Sequence, residues 1–268
     1  MACVSSATLA CASRAGARPS DRGVVPTSLA RGGSPGPVPR RAFLAGASLF
    51  SIGTHPASAA PSPAPPSPSH SPSPQRPSTV VYVGLTLDGY LARPDGAVDY
   101  LPMPSDPSQD YGFAAFMDSV DAVLMGRRTF QQVLQFCEGP DAVPWPYEGK
   151  TVYVISRTIT QSDVPSNLTG KAVISAASPA ETLRAMRREG VARAYVDGGS
   201  VVRALLEDDL VDEMVLTAVP VLIGRGQPLF GFDPKGGRDY RWRTVRSETF
   251  RDGSGFVKTA YARQRTAG

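Results

Sequence analysis

The chain reads as an α/β protein with a mixed, mostly parallel central sheet, helices on both faces and an antiparallel hairpin at the C-terminus. Three observations predict this. From residue 79 onward, short β-branched and apolar runs alternate with segments whose apolar residues fall at helical spacing. Some runs, Thr151–Ile155 among them, are apolar almost throughout, as a parallel strand buried on both faces requires. The last two runs, Trp242–Phe250 and Phe256–Ala262, alternate instead and are joined by Asp252-Gly253-Ser254-Gly255, the pattern of a hairpin.

Taken in order, Thr79–Leu87 is a buried strand broken by Asp88-Gly89, and Pro94-Asp95-Gly96 is a turn. Residues 101–109 hold three prolines and read as a loop. Tyr111–Val120 puts Phe113, Phe116, Met117 and Val120 on one helical face, with Asp110 as its N-cap. Ala122–Met125 is a strand and Arg128–Phe136 a helix with Val133, Leu134 and Phe136 inward. After Thr151–Ile155, Lys171–Ile174 is a strand and Pro179–Glu189 a helix opened by its proline. Ala192–Val196 is a strand, Ser200–Glu207 a helix, and Val211–Val219 a strand closed by Pro220.

The first 78 of the 268 residues differ in kind. They hold seven arginines, no lysine, a single acid (Asp21) and 14 of the 26 prolines. Residues 79–268 then carry 21 basic and 23 acidic side chains, so the basic character of the whole chain belongs to the leader and gives no reason to expect nucleic-acid binding. Both histidines, His55 and His70, precede residue 79, as do Cys3 and Cys11; only Cys137 follows. Residues 79–268 therefore cannot build a Ser-His-Asp or Cys-His centre, a zinc deaminase site or an internal disulfide.

Residues 1–39 have the acid-poor Ala/Ser/Arg/Pro composition of an organellar transit peptide. Arg40-Arg41, an apolar stretch to Ile52 and Ala57-Ser58-Ala59 then follow in the order of a twin-arginine export signal, and that stretch is too short to span a bilayer. The expected organisation is a cleavable leader over 1–59, a Pro/Ser linker over 60–78 and one domain over 79–268. The stacked signals point to a chloroplast protein of the thylakoid lumen; the stroma and bacterial export are the alternatives, and a disordered extension with a chance arginine pair is the structural one.

Three strings follow apolar runs and would share one edge of a parallel sheet: Met125-Gly126-Arg127-Arg128-Thr129, Ser156-Arg157-Thr158 and Asp197-Gly198-Gly199-Ser200. Two open helices, whose unpaired N–H groups and partial positive charge suit a diphosphate. The crevice beyond the carboxyl ends of the strands is where open α/β sheets bind ligands. The arginines and hydroxyls of the first two strings can hold a further phosphate. A phosphorylated dinucleotide, most simply NADPH, meets these requirements.

The same strings, with Thr86-Leu87-Asp88-Gly89-Tyr90-Leu91-Ala92, Leu210 to Thr217 and Pro220 to Phe230, resemble the dihydrofolate-reductase-like superfamily. The resemblance is strongest to the reductase domain at the C-terminus of the bifunctional riboflavin-biosynthesis deaminase-reductases and to its stand-alone relatives. It covers residues 79–263 and includes no deaminase domain. It implies that Gly126, Arg127, Arg128 and Thr129 meet the diphosphate and 2′-phosphate side of NADPH. Ser156, Arg157 and Thr158 would hold the 2′-phosphate, and Gly198, Gly199, Ser200 and Val201 the diphosphate. Thr86 and Asp88 would lie near nicotinamide and substrate, with Thr217 close to the substrate ring and Asp110 as the nearest acid. Without histidine, proton delivery falls to Asp88, Asp110, a threonine-held water or solvent. The implied activity is reduction of a riboflavin-pathway pyrimidine; dihydrofolate or pteridine reduction, and non-catalytic pteridine or nucleotide binding, are the alternatives. A homodimer without membrane contact is expected, from the apolar Pro220–Phe230 segment, the hairpin and the resemblance. Gly198-Gly199 as a tight turn, Asp88 as a turn residue, Asp110 as a helix cap and Thr217 as a strand residue are the structural alternatives.

Overall fold

The computed structural model describes residues 75–101, 109–138, 142–234, 237 and 239–265. The leader with Arg40-Arg41 and Ala57-Ser58-Ala59, and the linker up to residue 74, lie outside these residues. Eight strands form one sheet: β1 (Ser78–Thr86), β3 (Ala122–Gly126), β4 (Thr151–Ile155), β5 (Ala172–Ser175), β6 (Arg193–Asp197), β7 (Glu213–Val219), β9 (Arg241–Thr249) and β10 (Val257–Gln264). Their order is β5-β4-β3-β6-β1-β7-β10-β9. The pairs β4–β5, β3–β4, β3–β6, β1–β6 and β1–β7 are parallel, and β10 runs antiparallel to both β7 and β9. The mixed sheet with its terminal hairpin is the architecture the sequence predicts. Two short strands, β2 (Tyr90–Ala92) and β8 (Gln227–Pro228), pair separately and tie the loop after β1 to the 220–230 segment.

The helices are α1 (Phe113–Asp118), α2 (Arg127–Phe136), α3 (Pro179–Arg188) and α4 (Gly199–Glu207). With this strand order, crossovers of the usual right hand place α1 and α2 on one face, and α3 and α4 on the other. On the first face, Phe116 stacks on Tyr82 at 4.4 Å and meets Tyr195 edge-on at 5.0 Å. On the second, Leu183, Met186, Val202 and Leu205 are fully buried. α1 starts two residues later than the apolar spacing predicts. Tyr111 (φ 53°) and Gly112 (φ 83°) are both left-handed, so the helical backbone cannot begin before Phe113. Among the described residues, no helix is long and apolar enough to cross a membrane.

Contacts begin before the expected boundary at residue 79. Ser78 already lies in β1, and Arg76 forms a two-pronged pair with Asp212, at 2.6 and 2.8 Å. Asp212 also accepts from the Thr79 amide at 2.8 Å and pairs with Arg265 at 2.6 Å. It thus joins the start of β1, the entry to β7 and the end of β10. Burial alone would raise its pKa; the Arg76 pair, the Thr79 amide and Arg265 outweigh that and hold it at about 2. Because the folded-state value is depressed, this stabilisation is present above the ordinary carboxylate range and is lost as pH falls toward 2. Asp212→Asn should cost on the order of 2–4 kcal/mol at pH 7. Denaturant titrations should show the deficit shrinking below pH 4; a deficit independent of pH, or none, would contradict the clamp.

Candidate active site

Register places the carboxyl ends of the parallel strands along one edge. β3 ends at Gly126 beside Ile155 of β4, and Met125 lies beside Asp197 of β6. The chain turns from β3 into α2, and from β6 into α4, at adjacent positions. These turns touch. A side chain at Gly126 would meet Ser200 Oγ and Val201 Cγ2, each at 3.4 Å. Gly198 has φ 91°, and a Cβ there would collide with Thr129 Oγ1. Thr129 and Val201 are buried in this seam, whereas Arg128 and Ser200 are exposed at the rim. The seam thus brings two helix N-termini together, each without a side-chain cap hydrogen bond.

Beside this seam lies a cleft of about 530 Å³, lined by Arg127, Ile155, Ser156, Arg157, Thr158 and residues 176–179. Ser156 shapes it. Its Oγ accepts the Thr158 and Ile159 amides, each at 3.1 Å, and its own amide donates to the Ser175 carbonyl at 2.9 Å. That hydroxyl is engaged in folding the loop, while Arg157 and Thr158 are exposed. The far wall is the start of α3, where Ser178 and Glu181 close a capping box.

The residues expected near the substrate fall on the α1 side of the sheet. Thr86 and Thr217 share this face: Gly84 pairs with Thr217, and Thr86 with Val219. Lys258 of β10 pairs with Thr217; its ammonium donates to the Tyr111 carbonyl at 2.7 Å, which also accepts the Tyr82 hydroxyl at 2.8 Å. Asp88 accepts from the Thr86 hydroxyl at 2.5 Å and from the Ile223 and Gly224 amides at 3.1 and 2.7 Å. These bonds, the Thr86 hydroxyl foremost, lower its pKa and make it an anchored anion bracing the 221–224 loop. The N-cap of α1 is Gly112 rather than Asp110, because the helix starts later than expected. Asp110, two residues before it, accepts the Gly112 amide at 2.7 Å and the Ala114 amide at 2.8 Å and so braces the first turn.

The donor set fits a dinucleotide: paired helix N-termini over side-chain-free Gly126, and two arginines with a hydroxyl at the adjoining cleft. Residues 77–256 match the family model of the RibD C-terminal domain. The chain belongs to the RibD C-terminal domain family. The uncharacterized Bacillus subtilis proteins YwjB and YyaP are each 30% identical to it, over 57% and 68% of this chain and 82% and 93% of their own. A solved structure from Shewanella sp. PV-4, provisionally assigned to riboflavin biosynthesis, is 34% identical, with a TM-score of 0.60, covering 70% of this chain and 99% of that one. The Thermotoga maritima diaminohydroxyphosphoribosylaminopyrimidine deaminase/5-amino-6-(5-phosphoribosylamino)uracil reductase shares the fold at 17% identity and TM-score 0.52, over 70% of this chain and 57% of that one.

This RibD-type edge holds one residue that site reasoning on the sequence passed over. Asp197, the last residue of β6, is completely buried. The Tyr147 hydroxyl donates to its Oδ2 at 2.8 Å, and its Oδ1 has no partner among the described residues. Burial raises its pKa to about 7, partly offset by the adjacent Gly198 amide. An acid ending an apolar strand directly before Gly-Gly was the signal available in the sequence. Tyr147, 50 residues away, gave none.

The seam predicts that Gly198→Ala is destabilising by about 1–3 kcal/mol, from the positive φ and from the collision with Thr129. Thr129→Ala in the same protein should return part of that loss, because it removes the collision but not the backbone strain. An unchanged melting temperature in the single variant would show that the two turns are not in contact.

Proposed function

We propose that the protein is an NADPH-dependent reductase of a small heterocyclic substrate, with the ribosylaminopyrimidine of riboflavin synthesis, reduced at its ribosyl carbon to the ribityl form, as the substrate class. The observation that carries this reading is the junction of the seam with the cleft. Two uncapped helix N-termini, at Arg127 and Gly199, would receive a diphosphate, with Gly198, Gly199 and Ser200 on one side and Gly126 to Arg128 on the other. Arg127, Arg157 and Thr158 at the cleft would receive the 2′-phosphate, for which arginine offers paired, charge-assisted donors. Bound there, the cofactor would supply the hydride. The chain's own work is orientation and electrostatics. Thr86, Thr217 and Lys258 line the sheet face on which a substrate would lie, and Asp88 holds the 221–224 loop against it.

Dihydrofolate reduction is supported less well. Both oxygens of Asp110 are engaged by backbone amides, so it is not positioned as a free acid toward a pterin ring. A non-catalytic nucleotide-binding role would retain the same cofactor seat and is separated from the reductase by turnover alone. We further propose a homodimer, supported by exposed Leu222, Phe230, Val245 and Val257, and a leader that directs the protein to the thylakoid lumen.

Arg157→Ala should weaken NADPH binding by about tenfold or more while leaving NADH binding nearly unchanged. Titrating both cofactors against the parent protein and the variant, with fluorescence as readout, checks this. Equal affinity of the parent for NADH and NADPH would refute the 2′-phosphate assignment. NADPH oxidation with the pyrimidine, and none with dihydrofolate, is the expected substrate pattern.

A further inference from the structure

The buried Asp197–Tyr147 pair has no part in the binding scheme above, yet it lies directly beneath the turn assigned to the diphosphate. Its geometry fixes a proton. The Tyr147 hydroxyl donates to Oδ2, so that oxygen acts as an acceptor. With the hydroxyl donating to Oδ2, a neutral carboxyl carries its hydrogen on Oδ1, the atom without a protein partner among the described residues. Among the described residues, no cationic side chain pairs with this carboxyl. On the α1 face, β3 brings Val123 and Met125 alongside β6. α1 contributes Phe113 and Phe116, and Trp145 packs edge-on against Tyr147 with ring centroids 5.2 Å apart. The titratable groups on this face include the phenols Tyr195 on β6 and Tyr82 on β1, both raised by burial, and Tyr147 itself. Beyond them, Asp110 and Glu248 act on Tyr82, and Lys258 shares the Tyr111 carbonyl with it. Arg127 and Arg128 open α2 at the rim of the same edge, and neither is paired with Asp197.

We propose that Tyr147 is a positioning residue that keeps the proton of Asp197 on Oδ1, and that the dinucleotide binds the form of the protein in which Asp197 is protonated. This rests on the assignment of the diphosphate to the Gly198–Gly199 turn. An ionised Asp197 would put a fully desolvated negative charge one residue from that turn, where it opposes a second anion. The protonated form removes the repulsion and leaves Oδ1–H as a buried donor without a protein acceptor. Folding and cofactor binding then draw on the same proton, so both weaken as pH rises through the midpoint of Asp197, near 7.

The test uses the whole protein, Asp197→Asn and Tyr147→Phe, both close to isosteric, with circular dichroism as the check on folding. Measure the NADPH dissociation constant and the ligand-free melting temperature from pH 6 to pH 8.5. The ratio of parent to Asn-variant affinity cancels the titration of the cofactor's own phosphate. That ratio should fall by about thirtyfold across this range, its slope approaching one proton per ligand at the alkaline end. The ligand-free melting temperature of the parent should fall relative to the Asn variant over the same interval. Tyr147→Phe removes the donor that stabilises the carboxylate, so the midpoint should move to higher pH with the fall retained; a merely structural tyrosine would lower the melting temperature without moving it. A flat affinity ratio with tight NADPH binding would overturn the proposal and leave the reductase reading intact. Absence of NADPH binding in every variant would overturn the cofactor reading, while the ligand-free melting curves still decide whether Tyr147 governs Asp197. An unmoved midpoint in Tyr147→Phe would overturn the positioning role.

Discussion

The site depends on the contact between two strand-to-helix turns on neighbouring strands. β3 and β6 are adjacent and in register, so α2 and α4 start side by side on opposite faces of the sheet. Their first residues can meet only if the turns carry no side chains where they cross. Gly126 and Gly198 satisfy that requirement, and Thr129 fills the space that Gly198 leaves. The glycine at 198 is therefore explained by packing within the protein and by its positive φ, before any ligand is considered. The absence of a side-chain cap on either helix follows from the same crowding, and it leaves the N–H groups for a ligand. Fold and binding chemistry are here one constraint.

The rest of the molecule holds that seam still. Asp88 fastens the loop after β1 to the 221–224 loop, and β2 pairs with β8 just beyond it. Tyr111 is held in a strained left-handed conformation by bonds to its carbonyl from Tyr82 and Lys258, and by its ring in a small cluster with Phe250 and Phe256. At the opposite end of the sheet, Asp212 ties the start of the domain to its last strand. The terminal hairpin is thereby bound into the sheet through β7, and Lys258 reaches from it toward the Tyr111 carbonyl on the α1 face.

Much of this was legible from the sequence, and the reasons differ by element. Thr151–Ile155 was recognisable to the residue, because a parallel strand covered on both faces has no polar alternation to blur it. Pro179 marked the start of α3 in the sequence, and the structure adds a capping box between Ser178 and Glu181 that fixes it. β2 and β8 were invisible, since strands of three and two residues have no periodicity. At the site, strand ends preceding glycine and arginine strings gave the shared edge correctly, because that placement follows from topology alone. The roles of individual side chains did not. Whether Asp110 is a free acid or a brace depends on the left-handed backbone at Tyr111 and Gly112, and whether Ser156 faces a ligand or its own loop depends on two local amides. Asp197 stood in plain view within a recognised string, but its meaning comes from Tyr147, far along the chain, and from complete burial.

On the proposed reading, the paired helix starts and the adjoining cleft form one dinucleotide seat. Amide hydrogen exchange of the protein with and without NADPH tests it most directly, because it reports on the backbone N–H groups said to face the ligand. The account predicts slowed exchange confined to residues 126–130, 156–159 and 198–202, with β9 and the C-terminal end of α3 unchanged. Tight NADPH binding that left these three segments unprotected, or that protected a different edge of the sheet, would contradict it.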